Sequence, residues 1–307
     1  MSTNITIHNS ATKIILNYLK TNKINNSTIA IPSNICEKIV ISLGRNNKLL
    51  SIPINKKDHF INQNYLKKNL KLKDIKVVIL VYPYGNYNKN TYKNLKKLIT
   101  QRKILLIEDF CLCDPIKIIK KIKSIKNSFM VFSTGYSKFI DLKKGGFAIY
   151  DNNLLKYKVF NKKRFEIFYK KKYFIKPEIF KLNKINYNKY LKIIFKVRNK
   201  RIIHSTKINK IYKKLKDLRS IKEIKGDWRY SFEVLSKKKF NNIKKIKFSK
   251  SIFFGFNYPD ILRLKKYHKF FVKKKYSPNK NIINLFNDFR YDSLKAKKTY
   301  QAIIKQL

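Results

Sequence analysis

The 307-residue chain carries 73 Lys and Arg against 17 Asp and Glu, a formal net charge of +56, yet 44% of it is hydrophobic. That is far too apolar for a disordered basic tail, and the length suits about two domains of ordinary size. The charge invites a nucleic-acid reading, but nine of the basic residues are Arg and 64 are Lys, whereas base-edge and bidentate phosphate recognition favour the planar fork of Arg. Over-use of Lys, Asn and Ile along the whole chain looks like the imprint of an AT-rich genome.

Other classes fall away on similar grounds. No stretch reaches the roughly eighteen apolar residues that a membrane-spanning helix needs. The opening residues lack a basic segment followed by a small-residue cleavage site, so no secretory signal is expected and a cytoplasmic location is. Cys36, Cys111 and Cys113 are too few, and odd in number, for a disulfide framework. His8, His59, His204 and His268 are scattered without ligand spacing, so no metal site is expected.

In chain order, strand-like apolar runs fall at Ser27–Pro32, Lys48–Pro53, Lys76–Tyr82, Lys103–Glu108, Ser128–Ser133 and Gly145–Tyr150. Several are nearly continuous in Ile, Val and Leu, the texture of strands buried on both faces of a parallel sheet. Helical patterns lie between them at Ala11–Lys20, Asn34–Leu43, Asn62–Leu70, Lys89–Ile99 and Pro115–Lys123. This alternation predicts an α/β domain, a mainly parallel sheet flanked by helices, with its ligand beyond the carboxyl ends of the strands. From about Leu154 the texture changes. A Lys- and Tyr-rich segment to Leu218 reads as helix broken near Pro177. A strand at Tyr230–Leu235, a helix, a short apolar run at Ser251–Phe256 and a closing helix at Ser293–Ile304 follow. The expected division is a large domain over 1–168 and a smaller α+β domain over 169–307. The lysine triplets at 170–172, 237–239 and 273–275 read as solvated faces.

The chemistry is expected between Lys103 and Tyr150. One strand ends in Glu108-Asp109, the next in Ser133-Thr134-Gly135-Tyr136-Ser137-Lys138, and Gly145-Gly146 opens another. Each signal is weak alone; an acid, a hydroxyl and an amine on neighbouring strand ends are informative together.

The arrangement resembles the fold-type-I pyridoxal-phosphate enzymes, and within them the DegT/DnrJ/EryC1/StrS sugar aminotransferases. Ile107-Glu108-Asp109 matches that family's I-E-D strand end. Phe132-Ser133 with Lys138 matches its F-S-x-x-x-x-K, and Gly145-Gly146 its paired glycine. Upstream, Asn9-Ser10-Ala11-Thr12 resembles the phosphate turn, Ile31-Pro32-Ser33 the x-P-S strand end, and Tyr82-Pro83-Tyr84-Gly85-Asn86 the H-x-Y-G-N loop. Asn257-Tyr258-Pro259 and Ile283-Asn284-Leu285 are fainter matches.

The resemblance implies a pyridoxal 5'-phosphate aminotransferase acting as a homodimer, moving an amino group from a glutamate-like donor to a nucleotide-linked keto sugar. It assigns Lys138 the Schiff base and proton shuttle, and Asp109 the pyridine nitrogen. Ser133, Thr12 and Lys13 would hold the phosphate, the latter two at a helix N-terminus. Cys36 takes the place of an aromatic that stacks on the ring, and Tyr84 and Tyr136 stand toward the substrate. The sequence departs from the family at Leu112, where Gln or His usually contacts the 3'-oxygen. It also lacks much of the extension before the phosphate turn and a G-x-N-x-R segment after the lysine. Two alternatives stay open: a lyase or dehydratase on the same fold and cofactor, and a degenerate scaffold whose basic surface binds nucleic acid or acidic lipid.

Overall fold

The Ile-, Val- and Leu-rich runs of the first half become strands, and alternate residues of each go to opposite faces. A computed structural model describes residues 4–8, 10–72, 74–88, 90–121, 129–150, 158–159, 180–181, 184–256, 260–277 and 281–307. Its first sheet holds β1 (Asn4–His8), β2 (Thr28–Pro32), β3 (Lys48–Ile52), β4 (Ile75–Val81), β5 (Leu105–Asp109), β6 (Phe129–Ser133) and β7 (Gly146–Tyr150). The short strands β8 (Lys158–Val159) and β9 (Phe180–Lys181) extend one edge.

Strand order starts at residues 271–273 and runs β3-β2-β4-β5-β6-β7-β1-β9-β8. Pairing is parallel from β3 through β6; β7 runs antiparallel to β6, and β1 antiparallel to β7. Helices α1 (Ala11–Thr21) and α2 (Glu37–Gly44) cover one face, where Ile14, Ile15 and Val40 pack with Ile29, Val77, Ile107 and Val131. On the other face α3 (Gln63–Leu72), α4 (Lys93–Gln101) and α5 (Pro115–Lys121) bring Leu66, Leu95 and Ile116 against Val78, Leu80, Leu106 and Met130. The predicted α/β class and its six strands are present. The five helices predicted in the first half appear as α1 to α5.

The second half contains α6 (Lys184–Tyr212), β10 (Ile221–Ile224), β11 (Tyr230–Val234), α7 (Lys237–Lys244), β12 (Phe254–Phe256), β13 (Phe271–Lys273), β14 (Ile282–Leu285) and α8 (Ser293–Ile304). An antiparallel sheet of order β10-β11-β14-β12 packs on α6 and α8 around Ile208, Tyr212, Phe232, Ile283 and Ile303. The structure differs from expectation at several points, β10 and β14 among them, which were not predicted as strands. β8 and β9 lie in the segment read as helix. β1 alternates Ile5 and Ile7 with polar Thr6 and His8, yet all four are buried, so its composition concealed a strand covered on both faces. β13 leaves the second half to pair in parallel with β3, and Ile261, Leu262, Tyr267 and Phe271 pack under α1 and α2. The expected break at Pro177, the boundary at 168/169, Asn9, Lys170–Lys172 and Asn257–Pro259 lie outside the described residues. Among the described residues no helix is long and apolar enough to cross a membrane.

Gly146 shows how tightly α1 is set against the strands. A Cβ there would lie 2.7 Å from the Phe132 carbonyl oxygen and 2.9 Å from the Ala11 nitrogen, both backbone atoms that cannot swing away. Gly146→Ala is therefore expected to cost about 2 kcal/mol or more in overpacking, read as a lower denaturant midpoint with an unchanged slope.

Candidate active site

Four neighbouring strands, β2, β4, β5 and β6, end on one side of the first sheet, and a pocket opens beyond them. Its walls are Asn34 and Cys36 after β2, Val81 to Tyr84 after β4, Asp109, Cys111 and Leu112 at β5, and Lys138 after β6. This is where a parallel α/β sheet collects ligands, since the loops are free to diverge only there.

Strand geometry separates the two adjacent acids of β5. Glu108 points to the α4 face, where the Tyr82 hydroxyl donates to it at 2.5 Å and the Lys96 ammonium lies 2.5 Å away. Burial, and then the Glu108 charge, push the Tyr82 phenol well above its usual range, so it remains a donor. Asp109 points to the α1 face and into the pocket. Its Oδ1 accepts from the Cys111 backbone N–H at 2.9 Å, which fixes the carboxylate while leaving Oδ2 for another partner. Stacked rings brace these strand ends from the α4 side: Tyr82 on Phe110 at 4.3 Å, Phe110 on Phe132 at 5.4 Å and Phe132 on Phe147 at 4.7 Å.

Lys138 sits in a loop closed by its own backbone. Its N–H donates to Gly135 O at 3.2 Å, Leu142 N–H to Thr134 O at 2.9 Å, and Ser137 N–H to Asp141 Oδ2 at 2.8 Å. Thr134 Oγ1 donates to Lys144 O at 2.9 Å, and Gly145, at φ +96°, lets the chain turn into β7. Cys111 shares the pocket with Lys138. Burial and then the Asp109 carboxylate push its thiol well above the usual range, against the opposing pull of the Lys138 ammonium, so it stays a neutral wall.

The N-terminus of α1 abuts the same strand ends, with Ala11 against Gly146 and Ser10 bridged to Gly145. Ser10 occupies the N-cap in extended backbone, and its hydroxyl makes no capping bond among the described residues. Thr12 and half-buried Ser133 thus flank a free positive helix end, a good place for a phosphate. Lys13 is exposed beside them. Ser133 Oγ accepts from Gly135 N–H at 3.3 Å.

Of the residues singled out from the sequence, Asp109, Lys138, Cys36 and Tyr84 line one pocket. Ser133, Thr12 and Lys13 stand outside that lining at the α1 end. Tyr136 is 60% exposed, its ring covered by the Arg290 guanidinium at 4.2 Å. Sequence reading passed over Asn34, whose Oδ1 is buried and accepts no hydrogen bond among the described residues while its Nδ2 donates to His59 O at 3.3 Å. Its position just after Pro32-Ser33 was the one available signal.

These groups fit a phosphorylated pyridine aldehyde. The pocket offers an amine, a carboxylate for a ring N–H, an orphaned acceptor at Asn34 and an uncapped helix end at its edge.

No protein-family model matches the chain, and neither does any curated protein. Solved structures do match. An aminotransferase of the DegT/DnrJ/EryC1/StrS type from Brucella abortus superposes with a TM-score of 0.66 at 14% identity, over 98% of this chain and 85% of that one. PseC of Helicobacter pylori, an aminotransferase involved in the biosynthesis of pseudoaminic acid, gives 0.66 at 18% identity, over 98% and 86%. GDP-4-keto-6-deoxy-D-mannose-3-dehydratase of E. coli, solved with bound hydrated PLP, gives 0.63 at 16% identity, over 97% and 87%. The fold is therefore that of the type I pyridoxal-phosphate enzymes. More narrowly, it is the fold of the DegT/DnrJ/EryC1/StrS aminotransferases.

The residue covering Tyr136 is itself held by a buried carboxylate. Burial alone would raise Asp288, but hydrogen bonds and charge from Arg290 outweigh it and hold Asp288 below its usual value. A carboxylate lowered on folding stabilises above its unfolded value and loses that contribution as pH falls through the folded one. Asp288→Asn is expected to cost about 2 kcal/mol at neutral pH. The gap from the unmodified protein should narrow as pH falls below the ordinary carboxylate range, as followed by urea melts across pH.

Proposed function

We propose that this chain is a pyridoxal-phosphate-dependent aminotransferase of the DegT/DnrJ/EryC1/StrS kind. It transfers an amino group from a glutamate-like amino acid to a nucleotide-linked keto sugar. The observation that carries the reading is that Asp109 and Lys138, from adjacent strand ends, line one pocket.

When bound, the cofactor supplies an aldehyde that condenses with amines and a protonated ring that draws electrons from the neighbouring carbon. Lys138 Nζ would provide the amine that holds it and a base able to take and return a proton. Asp109 holds a proton on the ring nitrogen; its bond from Cys111 N–H keeps the carboxylate aimed. The first-turn N–H groups of α1, with the Thr12 and Ser133 hydroxyls and the Lys13 charge, neutralise the phosphate. Cys36 contributes a thiol wall where a ring would otherwise stack. Tyr84 lines the substrate side, and Tyr136 with Arg290 forms an exposed cationic and aromatic rim suited to a nucleotide. The family resemblance supports a homodimer working in the cytoplasm.

Dehydration is a second reading, favoured by the solved dehydratase that shares the fold. Products separate the two: transamination leaves the keto acid of the donor and an aminated sugar.

The purified protein with added cofactor is expected to turn yellow, and borohydride should fix the group on Lys138, located by peptide mass. Lys138→Ala should abolish the fixed adduct. Asp109→Asn should lower turnover by about 10²–10³-fold, the scale of losing one preorganised electrostatic partner. A colourless protein that takes up no cofactor overturns the proposal.

A further inference from the structure

Trp228 is the sole tryptophan of the chain and is 4% exposed. It lies just before β11, in the second half, yet its polar atoms go to the pocket loops. Its indole Nε1–H donates at 2.7 Å to the carbonyl of Ser137, the residue before Lys138. Its backbone N–H donates at 3.2 Å to Tyr84 O, and Asp227 N–H donates at 3.4 Å to Gly85 O. Tyr84 and Gly85 both have positive φ, +56° and +76°, a turn that needs such outside support at its non-glycine position. Contact here is close: a Cβ on Gly226 would lie 2.1 Å from Tyr84 O.

Trp228 is itself pinned from behind. Arg201, on α6 and 1% exposed, donates Nη2 to Trp228 O at 3.0 Å and to Asn287 Oδ1 at 2.6 Å. The Arg229 guanidinium covers the indole at 3.9 Å. Tyr84, Leu112, Trp228 and Ile282 form a small buried cluster of their own. Leu112 thus packs at this junction as well as lining the pocket.

We infer that Trp228 is a positioning residue: from the second half of the chain it sets the loop that carries Lys138 and the turn that carries Tyr84. The loop's internal bonds fix its shape, but the indole N–H ties it to the second half. Without that bond the half-buried Ser137 carbonyl loses its partner from the second half, and the loop is freer to move. The consequence for cofactor retention rests on the function proposed above; the consequence for the loop does not.

The test uses the full chain, unmodified and as Trp228→Phe, which keeps a ring and removes the donor. Without cofactor, amide exchange in the peptide over residues 134–142 should quicken about tenfold, the scale of one lost hydrogen bond, while β3 is unchanged. Trp228→His, which keeps a ring N–H, should recover part of the protection. With cofactor, Trp228→Phe should release it about tenfold faster and shift the pH midpoint of the visible band at Lys138. Unaltered exchange over 134–142 in folded Trp228→Phe overturns the inference. If the unmodified protein takes up no cofactor, the functional proposal falls and the exchange result still decides this one. Should Trp228→Phe not fold, the unmodified chain without cofactor decides: its Trp228 indole N–H should resist hydrogen exchange as the amides of 134–142 do, and an indole N–H that exchanges freely in the folded chain would overturn the inference.

Discussion

Helices seal both faces of the first sheet, so its strands can present polar groups only at their ends. The pocket follows from that constraint. It also follows that one residue of register decides what each acid does. Glu108 faces inward to Tyr82 and Lys96, whereas Asp109, one step on, faces the α1 side and the pocket. A slip by one position would exchange them and leave the pocket without its carboxylate. The five parallel pairs between β4 and β5, Val77 with Leu105 through Val81 with Asp109, hold that register.

Much of this was legible in the sequence, for an identifiable reason. Runs such as Val77 to Leu80 and Leu106 to Ile107 are buried on both faces, so composition alone marks them. The order of Asp109, Ser133 and Lys138 is also local information, since each follows directly from a strand. Strands β1 and β13 were not legible, because each is short and becomes a strand only by pairing with distant segments, β7 for one and β3 for the other. Trp228 was invisible for the same reason. Its partner Ser137 is 91 residues away, and nothing near Trp228 announces it.

The charge reads differently once burial is known. Glu108, Asp109, Asp114, Asp260 and Asp288 are all buried, whereas among the described residues Arg201 is the one buried Lys or Arg. Part of the small acidic complement is therefore spent inside, held by backbone N–H groups and a few chosen cations. Asp114 accepts from Ile116 N–H and from Arg198, and Asp260 from Leu262 N–H and Ser277 N–H. The solvent-facing charge is more positive than composition suggests, and counter-ions must screen it for the chain to stay compact.

The return of residues 260–277 to the first sheet has a consequence for synthesis. Ser33, at the turn leading into Asn34 and Cys36, pairs through its hydroxyl with Ser277, and its carbonyl accepts from Ile261 N–H at 2.8 Å. That wall of the pocket is therefore sealed by contacts spanning 244 residues of chain. On a ribosome emitting the N-terminal half first, the α/β layers can collapse early while this wall waits for nearly the whole polypeptide. The nascent chain must meanwhile keep the apolar edge of β3 uncovered. An early-folding scaffold with a late-closing wall leaves this edge open for most of synthesis.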